Sequence, residues 1–212
     1  MIALRVEVPI ACFRQSHARE YIETYPVPPP ATVYGMLLSV LGELNCYSHC
    51  GTQLAIALAE KLEKSTVIRT VHRFKTRDVA DSSNIRLDYQ ELVTNVELFV
   101  WVVAGSDKSR PNLPERIQEA FANPASITRF GGLCLGESHD LVNAINIVGE
   151  EQQKALYWLV QSRTGYLTLP YWVNHVGLKG TYWKRYELQK LMQPYPLANA
   201  WTEIQPYQHD SS

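Results

Sequence analysis

Thr24-Tyr-Pro-Val-Pro-Pro-Pro-Ala-Thr-Val-Tyr-Gly-Met-Leu-Leu-Ser-Val-Leu-Gly42 joins a run of prolines directly to an apolar segment. Proline at the first helical position loses no hydrogen bond, because that N–H has no partner inside the helix, so a helix is predicted from about Pro30 to Leu41. Gly35 leaves bare backbone one turn into this helix, and the free N–H groups of a helix start attract anions. The segment therefore predicts either a buried core helix with a rigid approach or a helix start that faces an anion.

The segments around this helix predict the order strand, helix, strand, strand, helix, strand. Strict alternation of apolar residues from Ile2 to Ile10 is typical of a half-buried strand. Further strands are predicted at 54–60, from 66 onward, at 85–89, 96–103 and 141–148, and a second helix is predicted over 112–123. This order predicts an α+β fold with a ferredoxin-like (RRM-like) β-α-β-β-α-β core.

The same pattern predicts how the chain is divided. Residues 1–150 are expected to form the ferredoxin-like domain, with a β-hairpin at about 66–93 that extends beyond the main sheet. Residues 151–212 contain one apolar run and a tail rich in Tyr, Trp and Pro. We interpret them as an extension of strands and loops packed on the core, not as a second domain.

Composition narrows the classes of partner. The 212 residues are 46% hydrophobic and 19% charged, which are globular values, and the formal net charge is −1. Proteins that grip duplex nucleic acid without specificity usually carry a large positive excess, so any nucleic-acid contact is expected to be local or shared with partner subunits. Arg5, Glu7 and Pro9 interrupt the apolar N-terminus, so neither a signal peptide nor a membrane segment is expected, and the predicted location is cytoplasmic.

The third predicted strand carries the clearest polar pattern. Arg69, Arg73, Lys75 and Arg77 share one parity, so in an extended strand they would project from one face. A solvated strand face is the structural alternative, but like charges crowded on one face repel and favour an anionic partner.

A glycine loop, Arg129-Phe-Gly-Gly-Leu-Cys-Leu-Gly-Glu-Ser138, lies between the second helix and the last core strand. Glycine-rich backbone can cradle phosphate. The spacing matches neither a dinucleotide fingerprint nor a Walker loop. Composition leaves two alternatives open, a tight turn and a phosphate contact.

No catalytic group is predicted, and neither is a cofactor or a metal. Cys46-Tyr-Ser-His-Cys50 resembles half of a zinc site but lacks a second ligand pair. His72 and His139 are candidate general bases for RNA cleavage, although neither has an evident catalytic partner. Tyr25, Tyr34, Phe74 and Phe130 are aromatic candidates for base stacking. For Phe74 and Phe130, packing in the core is the favoured alternative.

Three segments together resemble the fifth family of CRISPR-associated proteins, the RAMP-type subunits of the guide-RNA complex Cascade. They are Phe13-Arg14, the proline block at 24–37, and the glycine loop continued to Val142. The resemblance covers about residues 1–148 and implies a ferredoxin-like domain with an inserted hairpin called the thumb. It also implies that the chain caps the 5′ handle of the guide RNA (crRNA) and contacts a backbone subunit and the large subunit, meeting target DNA only indirectly.

By this resemblance the thumb corresponds to about Arg73 to Arg86, while the glycine loop and the helix start line the RNA surface. Family members commonly have arginine after the last glycine, where this chain has Glu137, which argues against phosphate contact by that residue. The residues expected to contact RNA are Arg14, Arg19, Tyr25, Thr32, Tyr34, Gly35, Arg69, His72, Arg73, Lys75, Arg77, Arg86, Arg129, Gly131, Gly132, Gly136 and Ser138.

Three functions remain open on the sequence. The preferred one is a non-catalytic handle-capping subunit. The alternatives are a metal-independent endoribonuclease of the same superfamily, which processes the guide precursor, and a ferredoxin-like protein-interaction module without RNA.

Overall fold

A computed structural model describes residues 1–18, 20–78, 80–149, 155–174 and 180–206. The helices are α1 (Pro30–Val40) and α2 (Leu113–Ala122). The strands are β1 (Ile2–Ala11), β2 (Tyr21–Ile22), β3 (Gln53–Leu58), β4 (Lys64–His72), β5 (Ile85–Val103), β6 (Ala144–Ile147), β7 (Leu156–Gln161), β8 (Leu167–Trp172), β9 (Tyr182–Leu191) and β10 (Trp201–Glu203). Within these residues neither helix is long and apolar enough to cross a membrane.

All ten strands belong to one sheet, which is antiparallel except where the short β2 runs parallel to β5. Its main path has the order β6-β1-β5-β3-β7-β9-β8, with β10 paired to β3, and β2 and β4 paired to β5. The structure thus confirms the predicted combination of two helices with strands at the level of a mixed α/β fold.

The burial pattern of β1 explains why one face of the sheet packs against the helices. Ile2, Leu4, Val6 and Val8 are buried, whereas the residues between them are only half-buried. The buried set packs with the apolar residues of β3, β5 and α1 in one hydrophobic core. Alternation along the strand therefore aims one row of side chains at the helices.

The helices begin where the sequence predicts. Pro30 opens α1 without a side-chain cap, and most of the helix is buried. α2 begins with a capping box, in which Asn112 Oδ1 accepts from the Glu115 N–H at 3.1 Å and Glu115 Oε2 accepts from the Asn112 N–H at 2.9 Å. Such reciprocal bonds satisfy two N–H groups that the helix leaves unpaired.

Two strand predictions need correction. The separate strands expected at 85–89 and 96–103 are one strand of 19 residues, which is locally irregular at Asn95, where φ is +54°. The last core strand, expected over 141–148, is limited to Ala144–Ile147, because Asp140 and Leu141 take part in the fold of the glycine loop.

The strands after residue 155 continue the same sheet. β7 pairs with β3, β9 pairs with β7, and β8 pairs with β9. On the face opposite the main core, Trp101 stacks on Trp158 with ring centroids 4.6 Å apart. The centre of the sheet is therefore buried on both faces.

Candidate nucleic-acid interface

Helix α1, from its first turn to Ser39, and the glycine loop line one cleft of about 280 Å³. Thr32 and Gly35 line it from α1, while Cys134 and Gly136 line it from the glycine loop. Trp172 of β8, whose ring lies 6.3 Å from that of Tyr34, lines a further wall. Segments more than ninety residues apart in the sequence thus meet at one surface, which we call the α1 cleft.

Asp140 gives the glycine loop its shape. Its carboxylate is 2% exposed, and Oδ2 accepts from the Cys12 N–H at 2.8 Å and from the Glu137 N–H at 2.7 Å. Burial raises the pKa of Asp140 even though both N–H groups favour its charged form. Because the N–H of Glu137 is occupied, this backbone group does not act as a free phosphate donor.

Gly136 allows the loop to close around that carboxylate. Its φ is +122°, and a Cβ there would lie 2.5 Å from Asp140 Oδ2 and 2.9 Å from the carbonyl oxygen of Cys12. Only glycine fits this backbone without strain. The glycine is therefore needed for the turn itself as well as for the open wall of the α1 cleft.

A buried glutamine connects the loop to the hairpin of β4 and β5. Gln90 Nε2 donates to Glu137 Oε2 at 2.9 Å, and Gln90 Oε1 accepts from Arg69 Nη1. Gln90 is 1% exposed, whereas Arg69 is exposed. The structure thus places Arg69 beside the glycine loop, and Glu137 serves as an acceptor within this chain of hydrogen bonds.

The predicted basic strand face is wrong beyond Arg69. β4 ends at His72, and Arg73, Lys75 and Arg77 lie in the hairpin tip. The cause is Asn84, a buried residue whose Oδ1 accepts from the N–H of Lys75 at 2.7 Å and of Thr76 at 3.1 Å. These bonds replace strand pairing and fold the tip.

The cations of the hairpin differ in what they contact. Arg86 pairs with Asp88 and with Glu20, and its hydrogen bond holds the pKa of Asp88 below the ordinary value. The three tip cations and His72 are exposed, and none forms an ion pair within the described part of the chain. Within the hairpin, the cations without an ion pair thus lie mainly at the tip.

Two aromatic predictions are also wrong. Phe74 is 71% exposed and Phe130 is 101% exposed, although both were expected in the core. Phe74 lies in the hairpin tip and Phe130 in the glycine loop, where the chain has left the sheet. Conversely Tyr34 is 4% exposed, and its hydroxyl donates to the carbonyl of Cys46 at 2.9 Å.

The remaining predicted residues are dispersed. Arg14 is exposed and donates to the carbonyl of Ala18, Tyr25 is half-buried, and Ser138 is exposed. Arg129 and Gly131 line a different cleft of about 450 Å³ beside α2, and Gly132 packs against Leu141. Arg19 lies outside the described residues.

The half zinc motif is part of a buried network instead. His49 Nδ1 lies 3.0 Å from Asp107 Oδ2, and His49 Nε2 accepts from Arg116 Nη1 at 3.0 Å. Arg116 also pairs with Glu43 at 2.7 Å. Among the described residues no group of three His, Cys, Asp or Glu side chains is placed to hold a metal ion.

Sequence reasoning missed Gln90, Asp140 and Trp172. Gln90 had a usable signal, because Asp88 and Gln90 share the parity opposite to Leu87 and Tyr89, and polar residues at alternate strand positions mark one face. No local pattern marks Trp172, whose ring lies against Tyr34 and Tyr47, or the bond that Asp140 accepts from Cys12, because these partners are distant in the sequence.

Comparison with known proteins identifies the family of this chain. A family model described as "CRISPR-associated protein (Cas_Cas5)" matches residues 1–177. The chain is 41% identical over 195 residues to a CRISPR-associated protein Cas5 of Myxococcus xanthus (strain DK1622), covering 90% of each protein.

Two solved structures share the fold at 12% sequence identity. One, described as "CRISPR RNA-guided surveillance complex", superposes with a TM-score of 0.63 over 89% of each chain. The other, described as "Crystal structure of Cas protein", has a TM-score of 0.54 over 90% of this chain and 94% of that one. The family match and the curated relative decide the matter: this chain belongs to the Cas5 family of CRISPR-associated proteins.

Proposed function

We propose that this Cas5 protein is a subunit of a Cascade-type surveillance complex, where it binds and caps the 5′ handle of the guide RNA. The observation that carries the proposal is the α1 cleft, in which the start of α1 meets the glycine loop. Gly35 is exposed and leaves open space where a Cβ would stand, and such bare backbone in the wall of the cleft suits close contact with a nucleic-acid strand. One relative that shares the fold is a chain of a CRISPR RNA-guided surveillance complex, which supports the same role.

We also propose that the core is ferredoxin-like. β1, β3, β5 and β6 lie in the order β6-β1-β5-β3 with antiparallel neighbours, and α1 and α2 follow β1 and β5. This is the order expected for a β-α-β-β-α-β unit. The hairpin at 64–93 then serves as the thumb, inserted between the second and third core strands.

We propose that neighbouring subunits complete the RNA site. The chain has a net charge of −1, and phosphate neutralisation supplies most of nonspecific affinity for nucleic acid. The exposed residues Arg73, Lys75 and Arg77 add positive charge at the hairpin tip. Stable capture of the handle therefore requires a backbone subunit and the large subunit. We propose that this assembly works in the cytoplasm and that the chain meets target DNA only indirectly, through the complex.

We propose that the role is non-catalytic. RNA cleavage without a metal needs a base placed beside a nucleophile and a group that orients it. His72 is exposed on the hairpin, His139 lies 3.5 Å from Glu137 and 3.6 Å from Asp140, and His49 is buried in its own network. These positions support binding more than cleavage.

The test is guide-RNA retention by an assembly co-expressed with backbone and large subunits, compared for wild type and Gly35→Ala. A Cβ at Gly35 meets no atom within 4 Å, and alanine favours a helix over glycine by about 0.5–1 kcal/mol. We expect Gly35→Ala to raise the unfolding temperature slightly but to lower guide retention several-fold, because the new methyl group occupies the cleft.

Gln118→Ala, on the exposed side of α2, is the matched helix control and should retain wild-type RNA levels. A wild-type assembly without guide RNA would overturn the proposal. So would tight binding of handle RNA by the isolated chain that is insensitive to salt. Cleavage of a repeat-containing RNA that is lost in His72→Ala or His139→Ala would instead establish the endoribonuclease.

A further inference from the structure

The strands after residue 155 carry a basic cluster that sequence reasoning did not identify. Arg163, Lys184 and Arg185 line an open pocket of about 420 Å³, together with Gln161 and Ser162. None of these lining residues belongs to the α1 cleft. We call this surface the C-terminal basic patch.

The patch rests on a tight turn packed against β9. In the turn from Ser162 to Gly165, the Gly165 N–H donates to the Ser162 carbonyl at 3.1 Å. A Cβ at Gly165 would lie 2.4 Å from the carbonyl oxygen of Tyr186. The backbone of the turn therefore packs directly against the backbone of β9, with no room for a side chain at this position. The Ser162 N–H also donates to the Arg185 carbonyl at 3.1 Å. This packing holds Arg163 beside Arg185.

The two arginines of the patch are not neutralised within the described residues. No carboxylate lines the pocket, and Arg163 and Arg185 are exposed and form no ion pair in the described ranges. Glu187 shares the face of Arg185 two residues along β9, but its carboxylate accepts from the neutral Gln189 amide at 2.7 Å and forms no ion pair with Arg185. Crowded like charges repel, so an anionic partner would stabilise this arrangement.

Aromatic side chains accompany the cations. Tyr166 follows the turn and is 68% exposed, and Trp183, which shares the face of Arg185 two residues along β9, is 45% exposed. Lys184 Nζ lies 4.7 Å from the centre of the Tyr171 ring, a cation–π contact that fixes the side chain. Cations that contact phosphates beside rings that stack on bases are the usual means of holding a single strand.

We propose that the C-terminal basic patch binds the phosphodiester backbone of a nucleic acid, as a contact separate from the α1 cleft. Tyr171 lines the α1 cleft, and its ring contacts the ammonium group of Lys184, which lines the patch. The α1 cleft and the C-terminal basic patch are therefore adjacent. The patch thus supplies positive charge next to a cleft whose lining residues are all uncharged. This contact goes beyond handle capping, because it depends on phosphates and not on a handle sequence.

The experiment measures binding by the full chain with the double variant Arg163→Glu and Arg185→Glu. The probes are fluorescent oligonucleotides without a handle sequence: single-stranded RNA, single-stranded DNA of the same sequence, and duplex DNA. The control is Lys108→Glu with Arg110→Glu, two exposed residues before α2 that give the same change in net charge. Anisotropy titrations over a range of salt give both affinity and salt slope.

We expect the patch variant to lose about tenfold or more in affinity for at least one probe, with a salt slope reduced by about 1.4 for single strands. The control should lose much less. The probe that responds identifies the source of the phosphates. Equal losses in both variants, no loss in either, or no binding of any probe by wild type at low salt would overturn the proposal.

Guide retention in the co-expressed assembly separates this inference from handle capping. If the α1 cleft caps the handle, the patch variant still carries guide RNA at a measurable level. Failure of capping would instead remove guide RNA from the wild-type assembly. Thermal unfolding of each variant shows that a loss of binding is not a loss of fold.

Discussion

Gly136 and Asp140 together determine the backbone conformation of the glycine loop. Adding one methyl group at Gly136 tests whether their close packing stabilises the fold. Gly136→Ala would press a Cβ against Asp140 Oδ2 and the Cys12 carbonyl at a φ of +122°. We expect a loss of about 2–3 kcal/mol of unfolding free energy, which corresponds to roughly 5–10 °C in unfolding temperature.

Gly131→Ala is the control for this change. Its φ is +80°, but a Cβ there meets no atom within 4 Å. Only backbone strain of about 1 kcal/mol is expected. Equal destabilisation by the two variants in thermal unfolding would contradict the role assigned to Asp140.

Glu43 links the loop after α1 to α2 and makes stability depend on pH. Its hydrogen bond from Arg116, with a second from the Asn45 N–H, lowers the pKa of Glu43 from its ordinary 4.5. A carboxyl group whose pKa is lower in the folded state stabilises the fold above the unfolded value, and this contribution is lost as pH falls through the folded pKa.

Glu43→Gln should therefore reduce stability at neutral pH by about 0.5–1 kcal/mol, since the pair is partly exposed to solvent. The variant should also show a shallower fall of unfolding temperature below pH 4.5 than wild type. Glu119→Gln, an exposed glutamate on α2, is the control. Parallel unfolding curves for wild type and Glu43→Gln across acid pH would contradict this account.

Individual residues show where sequence reasoning was limited. Thr32, Gly35 and Gly136 were predicted at a ligand surface, and the structure places all three around the α1 cleft. Phe74 and Phe130 were predicted in the core and are exposed. Hydrophobicity alone does not state whether a residue lies in a strand or in a tip beyond the sheet.

Among the elements, the hairpin of β4 and β5 depends on Gln90 for its connection to the glycine loop. Gln90→Leu would remove the acceptor of Arg69 and the donor to Glu137 while keeping the side chain buried. Losing such a buried polar link costs about 1–3 kcal/mol. We expect faster hydrogen exchange at the loop amides of Leu135 and Val142, whose bonds define the loop.

Leu87→Gln changes the opposite, exposed side of the same strand and should leave those amides protected. If exchange at the glycine loop is unchanged in Gln90→Leu, the hairpin and the loop are independent units. Mass-spectrometric hydrogen exchange on the full chain measures both variants under the same conditions.

The elements themselves were predictable to the extent that their signals are local. Alternation predicted β1, and Asn112, Pro114 and Pro124 bounded α2. β5 was divided in the prediction because polar residues interrupt its apolar pattern, yet cross-strand pairing with β1, β3 and β4 keeps it one strand. Pairing partners outweigh local propensity within a sheet.

On the scale of the whole molecule, the strands after residue 155 join the sheet beyond β3, and β8 packs beside α1. This joining brings Tyr171 and Trp172 to the α1 cleft and Lys184 and Arg185 to its neighbourhood. The region has no motif of its own in the sequence. Its contribution to the candidate interface depends entirely on which strand it pairs with.

The sequence by itself determined the helices, the first strands, the proline approach to α1 and the family resemblance, since each follows from periodicity, capping or short motifs. Only the tertiary structure decided that the α1 start, the glycine loop and β8 enclose one cleft, and that Asn84 ends the basic strand at His72. The physical reason is the range of the interactions. Capping and alternation act within a few residues, whereas the bonds of Asp140 and Gln90 join positions far apart in the chain.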